Sequence, residues 1–148
     1  MNIAEMQPLP GSPGCVICDN NNSNHRSLKL KIYWNPEDKA VHIPCMPDES
    51  WCGYASIVHG GLIASVLDEA MAWVVKQVTG DWAFTAECTL RFKAALEPGN
   101  RYEAVASVET ATARKINVLA RFVDENGKTA VQATAVFLPV KGRAAPRG

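Results

Sequence analysis

Residues 53–79 read GYASIVHGGLIASVLDEAMAWVVKQVT. From Gly60 onward, Leu62, Ile63, Val66, Leu67, Ala70, Met71, Val74, Val75 and Val78 recur at helical spacing and cover most of a helix circumference. Asp68, Glu69 and Lys76 are the only charges in that run. A helix apolar nearly all round is buried in the middle of a domain. Gly80 and Asp81 stop it. The pattern predicts one buried helix over about residues 60–79.

Outward from the helix the period changes to two. Ala86, Cys88, Leu90 and Phe92 share one strand face, with Thr85, Glu87, Thr89, Arg91 and Lys93 on the other. Cys88 thereby reads as core. Glu97-Pro98-Gly99-Asn100 is a turn. Alternation resumes through Tyr102, Ala104, Ala106 and Val108, and again through Ile116, Val118, Ala120 and Phe122. The Asn126-Gly127 pair marks a hairpin before a last strand over about 129–138. On the N-terminal side, Leu28, Leu30, Ile32 and Trp34 read as a strand and Val41 to Ile43 as a shorter one. The expectation is an α+β domain over 15–140, a four-strand antiparallel meander wrapped around the helix. Residues 1–14, rich in Pro and Gly, and 141–148 read as flexible tails.

The chain has 148 residues and zero formal net charge, so one domain with its own core is expected. No block of clustered Lys and Arg suggests nucleic acid as a partner. No apolar run has the length of a membrane span, and no basic start precedes an apolar stretch, so the expected place is the cytoplasm. Five cysteines without an export signal read as free thiols.

The helix entry carries the chemistry. Gly60 and Gly61 leave the first helical N–H groups bare, at the electropositive end of the dipole. That is an oxyanion site, and the missing side chains let a carbonyl approach closely. Asp68 is a carboxylate on a buried helix, costly unless paired, hydrogen-bonded or protonated, and suited to act as base or nucleophile. Its small neighbours Ala64, Ser65 and Ala72 leave room beside it. Gly60 and Asp68 lie about 12 Å apart along the helix, so one ester cannot easily meet both. If both serve one reaction, two antiparallel copies of the helix would bring Gly60 of one chain to Asp68 of the other.

GYASIVHGGLIASVLDEAM resembles the helix-entry motif of the PaaI-like hotdog thioesterases, where an acid follows His-Gly-Gly nine residues after the His, as Asp68 follows His59. TAECTLRFKAALEPG and RKINVLARFVDENGKTAVQATAVFL resemble the family's next strand and its closing hairpin, and CVICDNNNSNHRSLKLKI a lead-in of some members. The resemblance implies a hotdog fold, assembled as a homodimer or homotetramer, that hydrolyses acyl-CoA thioesters with no metal and no cofactor beyond the CoA of its substrate. It implies that the Gly60 N–H polarises the carbonyl, that Asp68 of the partner subunit activates water or attacks, that His59 shapes the turn, and that Thr85 helps place the water. The sequence departs from the family at Cys52 and Gly53, where many relatives carry Asn or Gln near the thioester carbonyl.

Plainer roles stand beside these. Asp68 can be a paired buried acid with Glu69 as the rival carboxylate, and His59 a helix cap. Gly61, Cys52 and Gly53 are candidate substrate contacts. So are Arg114 and Lys115, with Arg91 and Lys93, for CoA phosphates, though each fits an ordinary solvated face. Trp73, Trp82 and Phe84 fit either core or an acyl pocket. Cys15-x-x-Cys18 is half of a zinc or redox motif, but Cys45, Cys52 and His42 complete it in no defensible spacing, so no metal is expected. A hotdog protein that binds acyl-CoA without turnover, and a hotdog hydratase or dehydratase, are the alternatives.

Overall fold

The computed structural model describes residues 3–140. Seven strands form one antiparallel sheet: β1 (Gln7–Leu9), β2 (Ile32–Asn35), β3 (Ala40–Cys45), β4 (Ala83–Phe92), β5 (Tyr102–Ala111), β6 (Ile116–Asp124) and β7 (Thr129–Pro139). Among the described residues a single long helix, α1 (Gly60–Thr79), packs on one face. Gly80 ends it in the left-handed conformation at φ 82°, with its N–H on Lys76 O. The alternating residues read from the sequence form the floor beneath α1. Tyr102, Ala104 and Ala106, with Ile116, Val118, Ala120 and Phe122, are buried, as are Val131, Ala133, Ala135 and Phe137. Opposite them lie Val66, Leu67, Ala70, Met71, Val74 and Val75 of the helix.

The strand order is β1-β2-β3-β5-β6-β7-β4. The simple meander is therefore corrected. β5, β6 and β7 follow one another, but β4 pairs with β7 at the far edge. The irregular stretch 93–101 carries the chain from β4 across to β5, between β3 and β6. An edge position leaves β4 open, and the reading of Cys88 as core is wrong for the same reason: it is exposed. Strict alternation along β4 also fails. The ladder with β7 shifts between Thr85 and Glu87, a bulge that turns Thr85 onto the helix side.

Two N-terminal expectations change. Over Gln7–Leu9 the loose tail gives way to an edge strand on β2, where Pro8 loses nothing by lacking an N–H, and Met6 is buried. Residues 1–2 and 141–148 lie outside the described residues. The strand read over 28–34 is regular only from Ile32, because Lys29 turns left-handed at φ 55°. Leu28 and Leu30 instead bond through their N–H groups to Val16 O and Ile17 O.

His42, on β3, is buried between two carboxylates. Its Nε2 lies 2.9 Å from Asp38 Oδ2 and its Nδ1 meets Glu103 of β5. Burial alone would lower its pKa, but Glu103 and Asp38 outweigh that and hold it above the ordinary histidine value. A raised folded pKa contributes stability that is full below the unfolded value and is lost as pH rises through the folded one. His42→Gln is expected to cost about 2 kcal/mol in urea denaturation at pH 6. The deficit should shrink with rising pH. A pH-independent deficit would count against a charged His42.

Candidate active site at the start of the helix

His59 is the N-cap of α1, and its Nδ1 accepts the Gly61 N–H at 2.9 Å. The ring's proton therefore sits on Nε2. The His59 N–H is held by Trp51 O at 2.8 Å and the Val58 N–H by Leu96 O at 2.9 Å. The capping ring crowds Gly61 and leaves ordinary contact room at Gly53. A Cβ on Gly61 would lie 3.0 Å from His59 Cε1 and Nδ1, and one on Gly53 would lie 3.4 Å from His59 Cδ2. The Gly60 N–H has no hydrogen-bond partner among the described residues.

Gly60 lines a cavity of about 520 Å³. Gly53, Tyr54, His59 and Gly61 form one side of it, and Phe92, Lys93 and Leu96 the other. Ala55 and Ser56, beside this wall, both hold left-handed backbone at φ 54° and 55°. Among the described residues, Lys93 is the only Lys or Arg that lines the cavity, and no carboxylate lines it. The cavity wall at 92–96 was not legible in the sequence, since 93–101 carries no period and only the β4–β5 crossing brings it to the helix.

Asp68 lies two turns further along α1, where Thr85 Oγ1 donates to its Oδ1 at 2.5 Å. Its neighbour Glu69 faces elsewhere. Glu69 Oε2 shares a hydrogen bond with Cys15 Sγ at 2.8 Å, and burial pushes its carboxyl up to about 8. So the structure joins Asp68 to Thr85, and groups Gly53, His59, Gly60 and Gly61, but leaves these two sets apart within one chain. Cys52 sits behind the cavity in a bridge to Val58. Arg114 and Lys115 are exposed in the β5–β6 turn and do not line the cavity. Trp73 is core and meets Trp82 edge-on at 4.9 Å, while Phe84 is exposed on β4; none of the three lines the cavity.

The sequence model of the thioesterase superfamily matches residues 55–131, which include the helix entry, Asp68 and Thr85. The chain belongs to the thioesterase superfamily. Solved members share its fold, the hotdog fold. A thioesterase superfamily protein superposes with a TM-score of 0.76 at 17% identity, over 85% of this chain and 63% of that one. This chain thus spans less than two thirds of that protein. The Escherichia coli PaaI protein from the phenylacetic acid degradation operon gives 0.64 at 19% identity, over 67% and 75%. A hypothetical thioesterase from Streptococcus pneumoniae, solved with coenzyme A, gives 0.66 at 15%, over 74% and 84%. No curated protein matches this superfamily member in sequence. No helix among the described residues is long and apolar enough to cross a membrane.

Proposed function

We propose that the protein hydrolyses acyl-CoA thioesters at a site shared between two copies of the chain. The observation that carries this reading is a Gly60 N–H without a partner, on a cavity without a carboxylate in its wall, both among the described residues, while Asp68 sits about 12 Å away beside Thr85. A hydrolytic site needs both parts within reach of one carbonyl. The open edge of β4, with Phe84 next to Thr85 and Phe92 next to Gly60 both about half exposed, offers the surface on which a second copy would supply the missing acid.

In this mechanism the thioester carbonyl accepts from the Gly60 N–H, at the positive end of α1, where developing negative charge is stabilised. Asp68 of the second copy, held by the Thr85 hydroxyl, takes a proton from the attacking water, or attacks the carbonyl itself to form an anhydride that water then hydrolyses. In either route the tetrahedral intermediate collapses with cleavage of the C–S bond, and CoA leaves as the thiolate and is protonated to the thiol. His59 positions the Gly60–Gly61 turn through its cap. Cys52 and Gly53, at the positions where many relatives carry Asn or Gln, supply no amide side chain to the carbonyl, which places more of the polarisation on Gly60. Lys93 stands at the cavity for a CoA phosphate, a better-placed cation than Arg114 or Lys115 in the same chain. The coenzyme A in the Streptococcus pneumoniae structure supports this substrate class.

The test is thiol release from a panel of short, branched, aromatic and long acyl-CoA esters. Turnover of at least one ester by a dimer or tetramer is expected. Binding of acyl-CoA without hydrolysis of any ester would leave a non-catalytic binder, and a strictly monomeric active enzyme would remove the shared site.

A further inference from the structure

The N-terminal arm brings a second set of reactive groups to α1, at Glu69. Cys15 Sγ, Cys18 Sγ and a carboxylate oxygen of Glu69 all lie within 4.8 Å of one another. Cys18 is fully buried, and Cys15 and Glu69 are partly so. The arm is built to hold both sulfurs there. The Ile17 and Cys18 N–H groups point at Cys15 Sγ at 3.3 and 3.4 Å, and the Ser12 N–H points at Cys18 Sγ at 3.2 Å. Gly11 takes φ 73° at the entry to this loop, where a Cβ would fall 2.4 Å from Cys18 O.

Three groups that can each carry negative charge therefore converge at one point. None has a Lys, Arg or His ion-pair partner among the described residues. Without a cation, three such groups within 4.8 Å of one another repel unless they hold protons. A divalent metal would replace those protons. Two thiolates select a soft or borderline ion over magnesium or calcium. The spread of the three atoms is one that a tetrahedral shell closes, with Zn–S about 2.3 Å and Zn–O about 2.0–2.2 Å.

We propose that Cys15, Cys18 and Glu69 bind one zinc ion, with water as the fourth ligand, clamping the N-terminal arm to α1 beside Asp68. Glu69 is the ligand that sequence spacing could not supply, since it lies 54 positions from Cys15 and only the fold joins them. The site is independent of the acyl-CoA reading, because metal uptake is measured without substrate.

The experiment uses the full chain, reduced and stripped of metal with a chelator. Titration with cobalt(II) should give one equivalent, with thiolate-to-cobalt charge-transfer bands in the near ultraviolet and strong tetrahedral bands in the visible. Zinc should displace the cobalt and raise the Tm of the wild type. Cys15→Ser and Cys18→Ser should each weaken zinc more than about 100-fold, beyond the 10–100-fold typical of outer-shell changes. Glu69→Gln keeps the side chain's shape and should weaken zinc and remove the zinc-dependent rise in Tm, while Cys88→Ser changes neither. If a cysteine variant fails to fold, Glu69→Gln still decides. Uptake well below one equivalent, or uptake that survives all three ligand substitutions, overturns the site. So does a Cys15–Cys18 disulfide whose reduction brings no zinc binding.

Discussion

Asp68→Asn should lower kcat for acyl-CoA hydrolysis by about 10²–10⁴-fold, the range for loss of a positioned base or nucleophile. The substitution is nearly isosteric, and the amide oxygen can still accept the Thr85 hydroxyl that now lies 2.5 Å from Asp68 Oδ1. Packing on α1 and the β4 edge is thereby preserved, so the secondary structure, the oligomer and KM should change little. What disappears is the carboxylate's capacity to take a proton or to attack. Thr85→Val should cost less, about tenfold, since it removes one hydrogen bond to a charged group and leaves the carboxylate in place. Thiol release on the best ester of the panel gives both numbers. An Asp68→Asn enzyme with wild-type kcat would end the role of this carboxylate. A Thr85→Val loss as deep as that of Asp68→Asn would move the main chemical role to the hydroxyl.

Much of this arrangement was open to a reading of the chain. The helix over Gly60–Thr79 was legible because its apolar spacing runs unbroken from the His59 cap to Gly80. The inward faces of β5 and β6 were legible because alternation holds there without interruption. The Asp68–Thr85 contact was reachable through family resemblance and not through period. Strict alternation puts Thr85 with Glu87 on the outer face, and a bulge at that point reverses it. A bulge adds one residue without any composition signal, so no pattern of two could reveal it. The edge position of β4 was hidden for a related reason. Neighbouring strands in sequence usually pair, and the stretch 93–101 gives no mark that it crosses to the other side of the sheet. The Cys15–Glu69 contact likewise exists only in the folded chain, where the arm is tied to the middle of the helix.

Gly60→Pro should lower kcat/KM by about 10²–10³-fold, the cost of losing one oxyanion donor. Proline is a selective probe here. Gly60 is the first residue of α1, the helix position that tolerates proline best because its N–H has no helical partner. His59, before it, has φ −61° and ψ 127°, an extended conformation compatible with a following proline. A Cβ at Gly60 meets Phe92 at no less than 3.5 Å. Gly60→Ala, which adds that Cβ but keeps the donor, separates crowding of the cavity from loss of the N–H, and should retain most activity. The two inactive variants then test where the site is assembled. Gly60→Pro and Asp68→Asn chains, co-expressed in equal amounts, form mixed dimers. In each mixed dimer, one shared site has both defects and the other has neither. Random pairing makes half the dimers mixed, so the preparation should recover about a quarter of the wild-type rate. If each chain instead carried a complete site of its own, every site in the mixture would hold one defect and no activity would return. Recovery near a quarter, absent when the separately purified variants are mixed without subunit exchange, would place Gly60 and Asp68 of one reaction on different chains.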